Sequence, residues 1–133
     1  MCWGLDSSGQ VGNGGAVAPT TPEEVNGGLA WTRINAGRET ACGIATDATA
    51  YCWGYNNTGE IGDGGTEFSE APVAVAGGPG WAWIGNGDYH TCGIRAGGEG
   101  RCWGYNLQGQ LGDNSTQNRP APAAVFGGIT FKQ

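Results

Sequence analysis

The chain has 133 residues, 28 of them glycine, and six basic against twelve acidic side chains give it a net charge of −6. That balance argues against DNA, RNA or an anionic membrane surface as a partner, because phosphate contact needs clustered lysine and arginine. No run approaches the ~20 apolar residues that cross a bilayer, and no basic stretch followed by an apolar one marks a signal peptide.

From the first residues onward the chain repeats itself at a spacing of 50. Cys2-Trp3-Gly4 returns as Cys52-Trp53-Gly54 and as Cys102-Trp103-Gly104. Gly9 and Gly12 return as Gly59 and Gly62, then as Gly109 and Gly112. The doublet Gly27-Gly28 recurs as Gly77-Gly78 and Gly127-Gly128, followed three residues on by Trp31, Trp81 and Phe131. A fixed period of this size marks units that cannot bury their own apolar face and must stack on neighbours. The units read as 1–50, 51–100 and a partial 101–133 within one segment. Glycine this dense would suggest disorder if it were scattered. Held at fixed positions between apolar residues, it reads as turns and close packing.

The first complete set of elements predicts four short strands, Trp31 to Ala36, Thr40 to Thr46, Ala50 to Tyr55 and Pro72 to Ala76. Each is bounded by glycine-rich turns, and helix-period patterns are absent. Four strands in about 50 residues is the measure of one β-propeller blade. The expected fold is therefore all-β, a partial propeller of about two and two-thirds blades. The glycine-dense stretch Thr58 to Gly65 reads as a compact turn. Its single aliphatic residue, Ile61 here and Leu111 in the next unit, is expected to plug the core between blades. Glu60, Asp63 and Glu67 read as solvated loop residues.

Cys42 and Cys52 are symmetric about position 47, and Cys92 and Cys102 about position 97. If each segment is a hairpin turning at its centre, the cysteines oppose each other at a separation a disulfide accepts. Reduced core thiols are the competing reading, and recurrence in register favours bridges. Such bridges would imply an oxidising compartment, hence an extracellular or cell-surface origin, with the cytoplasm as alternative. Cys2 is then left over. The chain starts and ends inside units, which reads as a fragment of a longer ring, with self-association through open blade edges as a further expectation.

The run Cys102 to Gly112, with Gly87-Asp88-Tyr89-His90-Thr91-Cys92-Gly93-Ile94, resembles the repeat of the regulator of chromosome condensation family rather than kelch repeats. The resemblance covers essentially the whole chain and implies a propeller of seven four-stranded blades. The family's founding member is a guanine-nucleotide exchange factor for the GTPase Ran that also binds chromatin. Many bacterial relatives, often with the cysteine-bearing variant, are secreted or surface proteins, and one similar propeller inhibits β-lactamase by binding alone. The cysteines, the 50-residue unit and the acidity depart from the founding member and weigh against Ran exchange and chromatin binding.

Candidate chemistry is thin. His90 with Asp88 could form a general-base pair, but a histidine bonded to a neighbouring turn is the plainer reading. The cysteine spacing is not that of a zinc site, and no EF-hand or phosphate-loop pattern is present, so neither metal nor cofactor is expected. Asn56-Asn57-Thr58 and Asn114-Ser115-Thr116 match a glycosylation sequon that is common by chance. Trp83 stands out, because its equivalents are Arg33 and Gln133 and the scaffold does not require an aromatic there. Aromatic residues dominate interface hot spots. Trp83, Phe68 and Tyr89 are therefore the expected partner-binding residues of a non-catalytic protein-interaction module. An exchange-factor-like regulator of a small GTPase is the alternative.

Overall fold

The computed structural model describes residues 1–15 and 17–132, so Ala16 and Gln133, the equivalent of Trp83, lie outside the described residues. Eight strands follow in chain order: β1 (Trp31–Ala36), β2 (Thr40–Ala45), β3 (Ala50–Gly54), β4 (Ser69–Ala74), β5 (Trp81–Asn86), β6 (His90–Arg95), β7 (Gly100–Gly104) and β8 (Arg119–Ala124). They make two four-stranded antiparallel sheets, ordered β1-β2-β3-β4 and β5-β6-β7-β8. Before them, Cys2 bridges Glu23, in the register that pairs Cys52 with Val73 in the first sheet. Residues 1–30 thus hold the place of the second half of a blade.

Three of the four predicted strands are placed to within one residue of their ends, inside the usual scatter of strand boundaries. The fourth runs Ser69–Ala74 rather than Pro72 to Ala76. A register shift in the β3–β4 pairing sets Gly54 opposite Ser69 and Cys52 opposite Val73, which recruits the residues before Pro72. Ala76 then leaves the ladder and donates its N–H to the Gly62 carbonyl. Pro72 is tolerated because β4 is an edge strand, where a missing N–H can face outward.

The β2–β3 hairpin sets Cys42 directly opposite Cys52, and β6–β7 sets Cys92 opposite Cys102. The sulfurs are paired at 2.10 Å and 2.14 Å, and Cys2 stays free and half-buried. Burial raises the Cys2 thiol pKa against the lowering pull of the nearby N-terminal ammonium. At the hairpin tip the chain needs a left-handed residue. Gly98 supplies it in the second sheet, while Ala48 adopts it at φ 64° in the first.

Between the sheets lies the main core. Cys42, Ile44, Ala50 and Cys52 of the first sheet, with Val75 just beyond its last strand, meet Trp81, Ile84 and Trp103 of the second, with Ile61 wedged among them. Ile61 and Leu111 are buried as expected, and Val11 occupies the same place in the first unit. The turn around each plug is tied by one buried side chain. The Asn56 amide oxygen accepts the Ile61 N–H and that of Asn106 accepts the Leu111 N–H, while their amide nitrogens donate to carbonyls of the following loop. In the first unit this post is Asp6, which accepts the Val11 N–H but cannot donate, and its Oδ2 is buried without a partner. Glu60 is a correction to the sequence reading. It is buried rather than solvated, because its carboxylate folds back to accept from the Thr58 hydroxyl and backbone N–H.

Each turn also receives a tryptophan from the unit that follows. Trp103 is fully buried and its Nε1 donates to the Glu60 carbonyl at 2.8 Å; Trp53 does the same to the Gln10 carbonyl at 3.0 Å. The indole lies flat on a glycine. A Cβ on Gly62, itself at φ +80°, would stand 2.5 Å from Trp103 Nε1.

Three substitutions check this architecture by chemical denaturation. Gly62→Ala meets both backbone strain and the indole and is expected to lose ~3 kcal/mol. Gly78→Ala, at φ +70° with open space around it, should lose only ~1 kcal/mol. Asp6→Asn should gain ~1 kcal/mol by supplying the donor its two counterparts use.

Candidate functional site

The β1–β2 and β5–β6 turns come together at one end of the paired sheets. Gly37 N–H donates to the Thr40 carbonyl at 2.9 Å, and Gly87 N–H to the His90 carbonyl at 2.8 Å, closing two matching turns. The turns touch: a Cβ on Gly37 would stand 2.8 Å from Asn86 Cβ and 2.8 Å from the Gly87 carbonyl oxygen. Only a glycine permits that approach, and it brings side chains of both sheets into one patch.

The patch is built from Arg38, Tyr55 and Tyr89. The Tyr55 and Tyr89 rings meet edge-on at 5.9 Å between centroids, and the Arg38 guanidinium lies 5.6 Å from the Tyr89 ring centre. Tyr55 is fixed by its N–H donating to the Glu39 carbonyl, and Tyr89 by its carbonyl accepting the Tyr105 N–H, each at 2.8 Å. Arg38 stays exposed, with the Glu39 carboxylate 3.9 Å away, a surface ion pair of little energetic weight. Half-buried tyrosines offer an apolar ring and a polar tip, and arginine adds a planar cation. Such groups anchor protein interfaces more often than others do.

The three residues singled out from the sequence are not brought together. Tyr89 sits in this patch. Phe68 directly precedes β4 toward the same end and is 60% exposed. Trp83 lies elsewhere: its ring covers Gly85, and it lines a pocket on the outer face of the second sheet with Cys92, Ile94, Cys102, Val125 and Phe131. Arg38 and Tyr55 escaped sequence reasoning. The available signal was the dipeptide after a constant glycine, Arg38-Glu39 in one unit and Asp88-Tyr89 in the next.

His90 does not form a pair with Asp88. Its ring packs over Gly87, and among the described residues no ion pair joins it to Asp88. Likewise, among the described residues no three His, Cys, Asp or Glu side chains converge as metal ligands, and no helix is long and apolar enough to cross a membrane.

The loop before β8 carries the shortest ion pair among the described residues. Arg119 Nε meets Asp113 Oδ2 at 2.7 Å, while Ser115 and Asn106 donate to Asp113 Oδ1. Burial works to raise the Asp113 pKa, but the hydrogen bonds from Ser115, Arg119 and Asn106 and the charge of Arg119 outweigh it and hold it at about 2.

Residues 31–60 match one model of the regulator of chromosome condensation (RCC1) repeat, and residues 47–94 match a second. Comparison with curated proteins gives no match. Among solved structures, the chain is similar to Prp20p from Saccharomyces cerevisiae, studied for its binding to Gsp1p and histones, with a TM-score of 0.79 at 18% identity over 94% of this chain and 33% of that one. Yeast RCC1 (Prp20) bound to Kap60 gives a TM-score of 0.80 at 19% identity, over 94% of this chain and 32% of that one. Human WBSCR16 gives 0.70 at 17% identity, over 90% and 33%. The fold is thus that of a β-propeller, and the chain spans about a third of the length of the structures it matches.

The Asp113 tie has a signed pH dependence. A carboxyl held from 3.8 down to about 2 by folding contributes stability that is fully present above about pH 4 and is lost as pH falls towards 2. Asp113→Asn should flatten that stretch of the stability profile while leaving the neutral region parallel, as read from urea midpoints across the acid range.

Proposed function

This chain carries regulator of chromosome condensation repeats, and on that premise we propose that it is a non-catalytic protein-interaction module. The observation that carries the reading is the Arg38–Tyr55–Tyr89 patch, which two neighbouring blades assemble at one end of the sheets. Phe68, exposed toward the same end, extends it. A rigid scaffold with variable side chains at its loop ends is the ordinary construction of a binding protein. The structural neighbours support this, since Prp20p is described by its binding to other proteins. The partner is a protein, and the excess of acidic residues in the chain favours one with a basic surface. The two cysteine pairs support an extracellular or surface setting. The exchange-factor alternative has no comparable observation behind it.

The test compares the purified chain with its Arg38→Ala/Tyr89→Ala variant, both immobilised and exposed to extracellular and cell extracts of the source organism. A protein retained by the first should then be purified and its affinity measured. The double variant is expected to bind at least ~10-fold more weakly, the loss of one modest hot spot. Equal affinity for both would remove the patch from the function, provided circular dichroism shows both folded.

A further inference from the structure

Asparagine followed by glycine occurs three times in this chain, at Asn13-Gly14, Asn26-Gly27 and Asn86-Gly87. The pair is chemically labile. A glycine nitrogen has no side chain beside it to block its approach to the preceding carboxamide carbon, and closure onto that carbon expels ammonia. How fast a given pair reacts depends on where the fold holds the two groups.

Two of the three pairs are tied apart. The Gly14 N–H donates to the Glu70 carbonyl at 2.9 Å, where β4 crosses the turn so closely that a Cβ on Gly9 would stand 2.8 Å from Glu70 Cα. The Asn13 carboxamide is engaged elsewhere, its Oδ1 accepting the Gly15 N–H at 3.1 Å and its Nδ2 donating to the Glu23 carboxylate at 2.7 Å. The Gly87 N–H is held by the His90 carbonyl at 2.8 Å. The half-buried Asn86 carboxamide donates to Cys42 Sγ at 3.1 Å and to Thr91 Oγ1 at 3.2 Å.

Asn26-Gly27 is arranged differently. The Gly27 N–H donates to Oδ1 of Asn26 itself, at 2.8 Å, which lays the nitrogen beside the carbon it would attack. Both residues are exposed, so water reaches the pair. The turn that holds them is common to the repeat. The Asn26 N–H donates to the Gly12 carbonyl at 2.7 Å, as Ala76 does to Gly62 at 2.9 Å, and Ala76 is only half-buried although it lies between the two complete sheets.

We propose that Asn26 is a site of spontaneous modification, where the chain converts its own carboxamide to a carboxylate and in part reroutes its main chain. The Gly27 nitrogen gives up its proton to water and bonds to Asn26 Cγ. The Cγ–Nδ2 bond breaks, Nδ2 leaves as ammonia, and a cyclic imide remains. Water then opens that ring, with nothing oxidised or reduced. Breaking the new Cγ–N bond leaves aspartate. Breaking the bond from the Asn26 carbonyl carbon to the Gly27 nitrogen leaves isoaspartate, whose main chain runs through the former side chain. The extra carbon falls in the connection between two blades. Val25 is buried against Trp53 on one side of it, and the Trp31 ring lies 5.6 Å from that of Trp53 on the other. Lengthening a link pinned at both ends to one indole is expected to loosen that seat.

The test ages the full chain at mildly alkaline pH, in native buffer and in urea, with peptide mass mapping at intervals. In native buffer Asn26 should convert at least ~10-fold faster than Asn13 or Asn86, because it alone has its nucleophile in place. In urea the three rates should converge, since the contacts that separate them are gone. Isoaspartate at position 26 is identified by isoaspartyl methyltransferase labelling of its peptide. The isoaspartyl form, resolved by chromatography, should unfold at a lower urea concentration than the Asn26→Asp variant, which carries the same charge on an unlengthened main chain. An Asn26 that stays intact, equal native rates at the three pairs, a ranking that urea leaves unchanged, or equal midpoints for the isoaspartyl form and Asn26→Asp would each overturn the proposal.

Discussion

One indole seated on one glycine holds this architecture together. Truncating a buried tryptophan costs about 3–5 kcal/mol, whereas its single hydrogen bond to a carbonyl is worth about 1 kcal/mol. Burial therefore supplies most of the adhesion, and the hydrogen bond fixes the register. The same contact explains why the unit length does not drift. The turn carbonyl, the glycine under the ring and the glycine under the crossing strand must all meet parts of the following unit. An insertion between the tryptophan and that strand would unseat one or the other. Ile61 and its buried equivalents then fill the space that the indole leaves behind the turn.

What could be read from the sequence follows from how local each feature is. The hairpins and the opposition of Cys42 with Cys52 depend on contacts ten residues apart, and period and symmetry expose them directly. Ile61 and Leu111 were legible as plugs because they stand alone among glycines. The start of β4 was not, because it is set by a register shift against β3 that no local preference announces. Glu60 looked like a loop carboxylate, yet its own backbone carbonyl is the seat of Trp103, and burial of that seat carries the side chain inward.

The patch proposed for binding divides the same way. Tyr89 was named from the sequence as a candidate contact residue, and the structure places it half-buried at the β5–β6 turn. Its partners Arg38 and Tyr55 come from the neighbouring sheet, and they reach it only because Gly37 lets two turns touch. Trp83 was read as free for binding on the same logic of variation. The fold turns that position toward the face of its sheet, beside Cys92 and Cys102, because the strand alternation and not the variability decides where a side chain points. Differences between repeats thus mark where the scaffold is permissive, while the packing of turns decides which permissive positions share a surface.

The sulfur links are confined within blades, each tying the second strand to the third of the same sheet. Among the described residues, nothing covalent except the main chain runs from one blade to the next. A load applied along the polypeptide would therefore part the stacked leaves before it unravelled their centres, and each leaf would come away with its middle hairpin still clasped. Such a chain would yield in steps under traction and keep, in every detached piece, the template from which the leaf refolds.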